Sequence, residues 1–241
     1  MTDNEAGITD ILTRGAEELG IALPSSACAA FETYYNLLEE RNRHVNLTAI
    51  TGEADVARLH FLDSICLLKA VNFNNAKVID IGSGAGFPGI PLKLAEPTID
   101  LTLLDATGKR VAFLADLCVA LGIETTCANG RAEEYAGKPE MRERYDIAVS
   151  RAVAQLNILS ELCLPFVRAG GVFLAMKGID SEEEIQNADN AIKTLGAEVQ
   201  SIIDYDVPQT DIKHRVVVIK KTAATPGIYP RKFAKIQKTP L

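Results

Sequence analysis

Lys77-Val-Ile-Asp-Ile-Gly-Ser-Gly-Ala-Gly-Phe-Pro-Gly89 is a short apolar run that ends in an acidic residue and a cluster of glycines. Val78, Ile79 and Ile81 are β-branched and do not alternate with polar residues, the pattern of a strand buried on both faces of a parallel sheet. Asp80 then falls near the strand's C-terminal edge. Gly82, Gly84 and Gly86 permit positive φ and have no Cβ to hold a ligand off the backbone. Pro91 suits the first turn of a following helix. The stretch therefore reads as a strand entering a nucleotide-binding turn and then a helix.

Two cofactor classes compete for such a turn. A dinucleotide fingerprint is Gly-x-Gly-x-x-Gly, with a pyrophosphate at the helix N-terminus. Counted from Gly82, the last glycine position is Phe87. A large aromatic there, with a carboxylate just before the glycines, fits S-adenosylmethionine (SAM) better, because SAM has no phosphate and carries cationic ammonium and sulfonium groups. A tight turn with no ligand is the third reading.

Working outward toward the C-terminus, strands and helices alternate, the order that builds a parallel sheet covered on both faces. Strands are expected at Ile99–Leu104, Ile123–Ala128, Asp146–Ser150 and Val172–Lys177, the last opened by a Gly170-Gly171 turn. Lys109–Leu121 reads as an amphipathic helix stopped by Gly122, and Ser181 with Glu184 as a capping box. Two late strands, Val199–Tyr205 and Arg215–Lys220, follow without a helix between them and suit an antiparallel edge. The proline-punctuated tail from Thr225 to Phe233 is expected to lie extended on the surface.

Toward the N-terminus, residues 1–72 read as a helical cap. Ile8, Ile11, Leu12 and Leu19 share one face of a first helix ended by Gly20. A second helix, capped by Ser25 or Ser26, carries Phe31, Tyr34, Tyr35, Leu37 and Leu38, and a third runs from Glu53 to Val71. The division is 1–72 cap, 73–222 core and 223–241 basic tail. No apolar run of the 241-residue chain is long enough for a membrane span, and Met1-Thr-Asp-Asn-Glu-Ala-Gly7 lacks the features of a signal peptide, which places the chain in the cytoplasm. The five dispersed cysteines suit buried free thiols, with neither a disulfide framework nor a metal site.

Formal net charge is −7, yet residues 207–241 carry eight Lys or Arg against Asp211 alone, which is +7 there and −14 elsewhere. A basic tail on an acidic body suggests nucleic acid, or else a solvated strand and tail.

Ligands of open parallel sheets bind outside the strands' carboxyl ends, where strand order reverses. Besides Asp80, Gly82, Ser83, Gly84, Gly86 and Phe87, three positions converge there. Asp105 ends the second strand, placed either to accept from two ribose hydroxyls or to cap the next helix. Ala132-Glu133 follows the third strand, as an adenine-edge contact or a solvated acid. Arg151 follows the fourth, where enzymes that methylate exocyclic amines carry Asn/Asp-Pro-Pro-aromatic. This chain has Ser150-Arg151-Ala152-Val153 instead, and no cysteine lies at such a loop to serve as a nucleophile. A target with a free lone pair and no proton to lose needs no base, only positioning. Lys177 reads as a phosphate contact or a surface lysine. His44, His60 and His214 do not cluster in sequence and read as core or surface residues.

With these residues assembled, the chain resembles the RsmG family, formerly glucose-inhibited division protein B, over nearly its whole length. The segments that carry the likeness are Asn46-Leu-Thr-Ala-Ile50, His60-Phe-Leu-Asp-Ser64, Asp80-Ile-Gly-Ser-Gly-Ala-Gly-Phe-Pro-Gly-Ile-Pro91, Ser150-Arg-Ala-Val-Ala154, Gly170-Gly171, Lys177-Gly178, Tyr229-Pro-Arg-Lys232 and Lys238-Thr-Pro-Leu241. It departs from the family at Phe233-Ala-Lys-Ile-Gln237, where Gly and Pro are usual, and at Asp105, where Glu is frequent. The resemblance implies a Rossmann-like class I SAM-dependent methyltransferase fold, a mostly parallel seven-stranded sheet with an antiparallel edge, behind an N-terminal helical extension. It also implies methylation of a guanine N7 in bacterial 16S ribosomal RNA, naked or in the small-subunit particle, by a monomer that uses neither a metal nor a catalytic base. Gly82, Phe87, Ala132, Glu133 and Arg151 would contact SAM, Asp105 its ribose, and Lys177, Arg231 and Lys232 the RNA. The alternatives are a SAM methyltransferase for a small molecule and a non-catalytic RNA-binding or assembly factor.

Overall fold

The computed structural model describes residues 7–151 and 154–241. Met1–Ala6, on which the leader reading rests, and Ala152-Val153 of the Arg151 motif lie outside the described residues. Seven strands form one sheet in the order β3-β2-β1-β4-β5-β7-β6. They are β1 (Lys77–Ile81), β2 (Asp100–Asp105), β3 (Thr125–Asn129), β4 (Tyr145–Arg151), β5 (Val167–Gly178), β6 (Ala197–Asp206) and β7 (Lys213–Lys221). The first five run parallel, and β7 inserts antiparallel between β5 and β6. Strand order reverses between β1 and β4, so the glycine turn and Arg151 flank one crevice.

Side chains alternate across the sheet, as the two-residue period of a strand requires. Val78, Leu101, Val149, Leu174 and Val218 enter one hydrophobic cluster, and Ile79, Leu104, Ala148, Phe173 and Val217 the other. The first cluster is covered by α1 (Ile8–Leu19), α2 (Ala27–Val45), α5 (Gly89–Ala95) and α6 (Gly108–Leu121). The helices of the cap thus complete a layer of the core. The short α7 (Ala132–Tyr135), α8 (Leu156–Cys163), α9 (Glu182–Asn187), α10 (Asp189–Thr194) and α11 (Phe233–Lys238) lie with the second. Gly20 and Gly122 end α1 and α6 in the left-handed conformation, each donating to two carbonyls of the last turn.

Four expectations need correction. The helix after Glu53 is one continuous stretch, but only α3 (Glu53–Val56) and α4 (Asp63–Ile65) are α-helical; Ala57–Leu62 between them is a π turn, and Cys66–Lys69 tightens to 3-10. Gly170-Gly171 does not open β5 but bulges inside it. Val167 pairs with Tyr145 and Val172 with Ile147, so four residues of β5 face Asp146 alone. A Cβ on Gly171 would stand 2.5 Å from the Asp146 carbonyl oxygen, which only glycine avoids.

The capping box at Ser181 is not made. Glu184 is diverted to the Leu156 N–H at 2.5 Å and the Lys177 ammonium at 2.6 Å, so it cannot reach back to its own helix. Finally, the tail is not extended throughout: the Tyr229 N–H donates to the Pro226 carbonyl at 3.0 Å across a turn, and a helix begins at Phe233. The Arg142 guanidinium donates to the Thr225 and Tyr229 carbonyls at 2.8 and 2.9 Å, and α11 then buries Ile236 against the second cluster.

Candidate cofactor and substrate site

The crevice at the reversal point opens into a cavity of about 790 Å³ whose floor is the glycine turn. Gly82, Gly84 and Gly86 adopt φ of 73°, 58° and 107°, conformations that exclude most side chains. The turn is fastened to the neighbouring strand, since the Gly82 and Ser83 N–H groups both donate to the Leu104 carbonyl, at 2.8 and 3.2 Å. From above, the Tyr34 hydroxyl donates to the Ala85 carbonyl at 2.6 Å, so α2 of the cap rests on the turn.

Asp80 stands behind this floor, not in it. It is fully buried, does not line the cavity, and accepts from the Gly89 N–H at 2.8 Å through Oδ2. Burial pushes its carboxyl up to about 7, against the opposing pull of the Gly89 hydrogen bond and the Arg151 charge. Gly86 is likewise set back, beneath Tyr34 and Ile90.

Asp105 divides the crevice. Its Oδ2 accepts from the Gly84 N–H at 3.0 Å and its Oδ1 from the Thr107 N–H at 2.8 Å. A carboxylate has about four lone-pair sites, so each oxygen retains one for a ligand hydroxyl. Asp105, Gly82 and Ala106 also line a second, adjoining cavity of about 150 Å³, and Ala132 and Glu133 form its far wall. Leu162 of α8 and Phe233 of α11 close its apolar side. The Arg131 guanidinium lies 5.3 Å from the Phe233 ring centroid, a cation–π distance.

The opposite wall of the large cavity joins cap to core. Arg151, at the end of β4, donates to the Leu59 carbonyl at 3.1 Å and to Asp63 Oδ2 at 3.0 Å, with Nη2 2.8 Å from His60 Nδ1. Asp63 also accepts from the Tyr205 hydroxyl and His214 Nδ1, each at 2.8 Å. Burial would raise the Asp63 carboxyl, but the His214 hydrogen bond and the Arg151 charge together hold it below the ordinary value. The hydrogen bond to Asp63 raises the His214 imidazole in return. Burial, followed by the Arg151 charge, pushes His60 down to about 3, so its ring is neutral. That ring stacks on Phe87 with centroids 4.2 Å apart.

Of the residues singled out in sequence, Gly82, Ser83, Gly84, Phe87, Asp105, Arg151 and Lys177 line the large cavity, and Ala132 and Glu133 the small one. Lys177 is already engaged by Glu184 and by the Ala154 carbonyl at 2.8 Å. Arg231 and Lys232 lie elsewhere. The Arg231 guanidinium is clamped on the fully buried Glu161 at 2.6 Å and on the Thr239 carbonyl at 3.0 Å, which removes it from the exposed basic set; Lys232 stays exposed.

Sequence reasoning missed Thr48, His60, Asp63, Arg110 and His214 as cavity residues. The i, i+3 spacing of His60 and Asp63 on one helix face was a usable signal. His214 reaches Asp63 only through the sheet, and nothing local announces it.

The family model described as rRNA small subunit methyltransferase G matches residues 27–212. Ribosomal RNA small subunit methyltransferase G of Alkaliphilus oremlandii is 46% identical over 97% of this chain and 99% of its own. The protein of the same name from Acetivibrio thermocellus is 42% identical over the full length of both. Among solved structures, an O-methyltransferase from Bacillus cereus, determined in complex with SAH, superposes with a TM-score of 0.57 at 16% identity, covering 88% of this chain and all of its own. A methyltransferase from Pyrococcus furiosus gives 0.54 at 10% identity over 80% and 98%. These two likenesses establish the fold, and the near full-length relatives establish the lineage: the chain belongs to the rRNA small subunit methyltransferase G family.

Proposed function

We propose that the chain methylates N7 of a guanine in bacterial 16S ribosomal RNA, with SAM as the methyl donor. The observation that carries the reading is Asp105 standing between a large and a small cavity at the reversal point of the sheet. A nucleoside with a charged tail fits such a pair. Asp105 would hold the ribose hydroxyls through its two spare lone pairs, Ala132, Glu133 and Phe233 would flank the adenine, and the Gly82–Gly84 backbone would lie along the tail. SAM when bound supplies an electrophilic methyl on a cationic sulfur. The chain's own task is then to orient a lone pair toward it and to exclude water.

The protonation states of the wall agree with a reaction that needs no base. His60 is neutral but its ring nitrogens are occupied, Asp63 accepts from three donors that hold its carboxyl below the ordinary value, and Lys177 is paired with Glu184. Guanine N7 carries no proton, so none has to be removed. Arg151 is held by the cap and lines the large cavity, so beside its expected contact to SAM it is the post on which cap and core meet.

RNA would approach along a groove beside the cavity mouth, lined by Arg43 and His44 of α2 and by Lys109 and Arg110 of α6. Thr107 and Arg110 belong to both depressions. Lys109 and Arg110 sit in the first turn of α6, where the helix dipole disfavours cations; Arg110 Nη1 lies 3.7 Å from Asp105 Oδ2, while the turn itself holds no acid to offset Lys109. A backbone phosphate would relieve that arrangement. We place the chain in the cytoplasm with its RNA, as a monomer with no metal.

Transfer of labelled methyl from SAM to small subunits lacking the modification tests the reading, with the product mapped to the nucleotide. Incorporation at a guanine N7 is expected. SAM binding with no incorporation into RNA or particle would leave a non-catalytic RNA-binding factor, and salt-insensitive transfer to a small acceptor alone would leave the other enzyme.

A further inference from the structure

We infer that Thr48 reads position 6 of the target purine, donating a hydrogen bond to a carbonyl oxygen and refusing an amino group. The inference rests on the guanine-N7 reading above and names the group that would select the base.

The argument runs through a chain of fixed donors. Arg151 has donors only. Its Nη2 lies 2.8 Å from His60 Nδ1, so Nδ1 must accept. A neutral imidazole that accepts at Nδ1 carries its proton on Nε2. His60 Nε2 lies 2.7 Å from Thr48 Oγ1, and this contact therefore runs from histidine to threonine. The Ile50 N–H donates to the same oxygen at 3.1 Å. A hydroxyl has two lone pairs and one proton, and both lone pairs are now filled. The Thr48 proton has no acceptor among the described residues, and Thr48 lines the large cavity. The hydroxyl is therefore a donor that points at a ligand and cannot accept from one.

Its position is rigid. Asn42 Oδ1 accepts from the Leu47 and Thr48 N–H groups at 2.6 and 3.0 Å, and Asn42 Nδ2 donates to the Thr48 carbonyl at 2.9 Å. At the other end of the relay, Asp63 holds Arg151.

The Hoogsteen edge of guanine presents N7 and O6, both acceptors, whereas adenine presents N7 and an amino donor. A donor that bonded N7 would occupy the nucleophile. A donor at O6 fixes the ring and leaves the N7 lone pair free. Against adenine, the Thr48 proton and the amino group would face each other with neither satisfied, the kind of mismatch that gives a site its sharpest selectivity.

The test uses the full-length wild type with Thr48→Val, Thr48→Ala and Thr48→Ser. Substrates are small subunits lacking the modification, with either guanine or adenine at the mapped position. Thr48→Val and Thr48→Ala are expected to lose roughly tenfold to a hundredfold in kcat/KM on guanine, the effect of one or two lost hydrogen bonds. Their SAM Kd by calorimetry should stay within about twofold of wild type, and the guanine-to-adenine preference should shrink. Thr48→Ser should retain most of the wild-type rate. The preference is a ratio within one preparation, so a partly unfolded sample does not distort it. Wild-type kcat/KM in both variants would overturn the assignment, and so would a SAM Kd that weakens in step with the rate, which would give the hydroxyl to the cofactor. Wild-type protein that methylates no guanine at all would remove the parent reading, and this one with it.

Discussion

Asp80 and Asp105 end adjacent strands 25 residues apart, yet their surroundings give them opposite work. Asp105 faces the cavities with lone pairs to spare, while Asp80 is sealed behind the glycine turn, where burial keeps its proton on to about 7. An unfolded Asp loses its proton near pH 4. Between those values the folded state binds more protons than the unfolded one, so this group makes stability fall as pH rises from about 4 to about 7. Asp80→Asn keeps the acceptor for the Gly89 N–H and removes the titration. Denaturation of the two proteins across that window should show the variant gaining on wild type with each step up in pH. Parallel curves would mean that Asp80 does not carry the effect. The turn and Asp105 were legible in the sequence because glycine φ and a strand-end carboxylate are local features. The Asp63 cluster was not, because Tyr205 and His214 lie 142 and 151 residues further along and meet Asp63 only once β6 and β7 pair.

Among the elements, the π turn at Ala57–Leu62 decides which residues of the cap see the cavity. A π turn holds one residue more than the α-helical turn it replaces, and here it carries His60 and leads into Asp63. No periodicity within the segment predicts it, since the apolar spacing of a helix with one extra residue resembles that of two shorter helices. The α6 N-terminus is the second element with a function to test. Replacing Arg43 and Lys109, neither of which lines the large cavity, together by Gln should weaken binding to small subunits and flatten its dependence on salt by roughly one unit of slope per lost phosphate contact, with SAM affinity kept. The same binding curve at every ionic strength for variant and wild type would move the RNA path elsewhere. Lys109→Gln relieves an unfavourable charge–dipole arrangement at the α6 N-terminus and Arg43→Gln removes a favourable one in the last turn of α2, so the melting temperature should change little.

At the scale of the whole molecule, the three segments drawn from the sequence fold against one another. One hydrophobic cluster contains Ile11, Phe31 and Phe61 of the cap together with Val78 and Leu174 of the sheet, so the cap is a layer of the core. The tail shows the limit of composition as a guide. Its charge was visible, but not that Arg231 would be spent on Glu161, a residue of α8 that is 0% exposed. Arg231→Ala leaves that carboxylate buried with no counter-ion and only the residue-231 N–H, 2.8 Å from its Oε1, and should cost about 3 kcal/mol of stability, read by denaturant unfolding. Lys232→Ala, one residue on and exposed, should leave unfolding unchanged. Equal and small effects would return Arg231 to the surface charges. Phe233, next in the chain, carries the tail's anchoring into the wall of the smaller cavity. The chain has no tryptophan, so Phe233→Trp would make that wall the molecule's only source of indole emission. Titrating SAM into that variant should then shift or quench the emission with saturation at one site, giving an unlabelled optical readout of occupancy from a residue that lies at the far end of the sequence from the glycine turn.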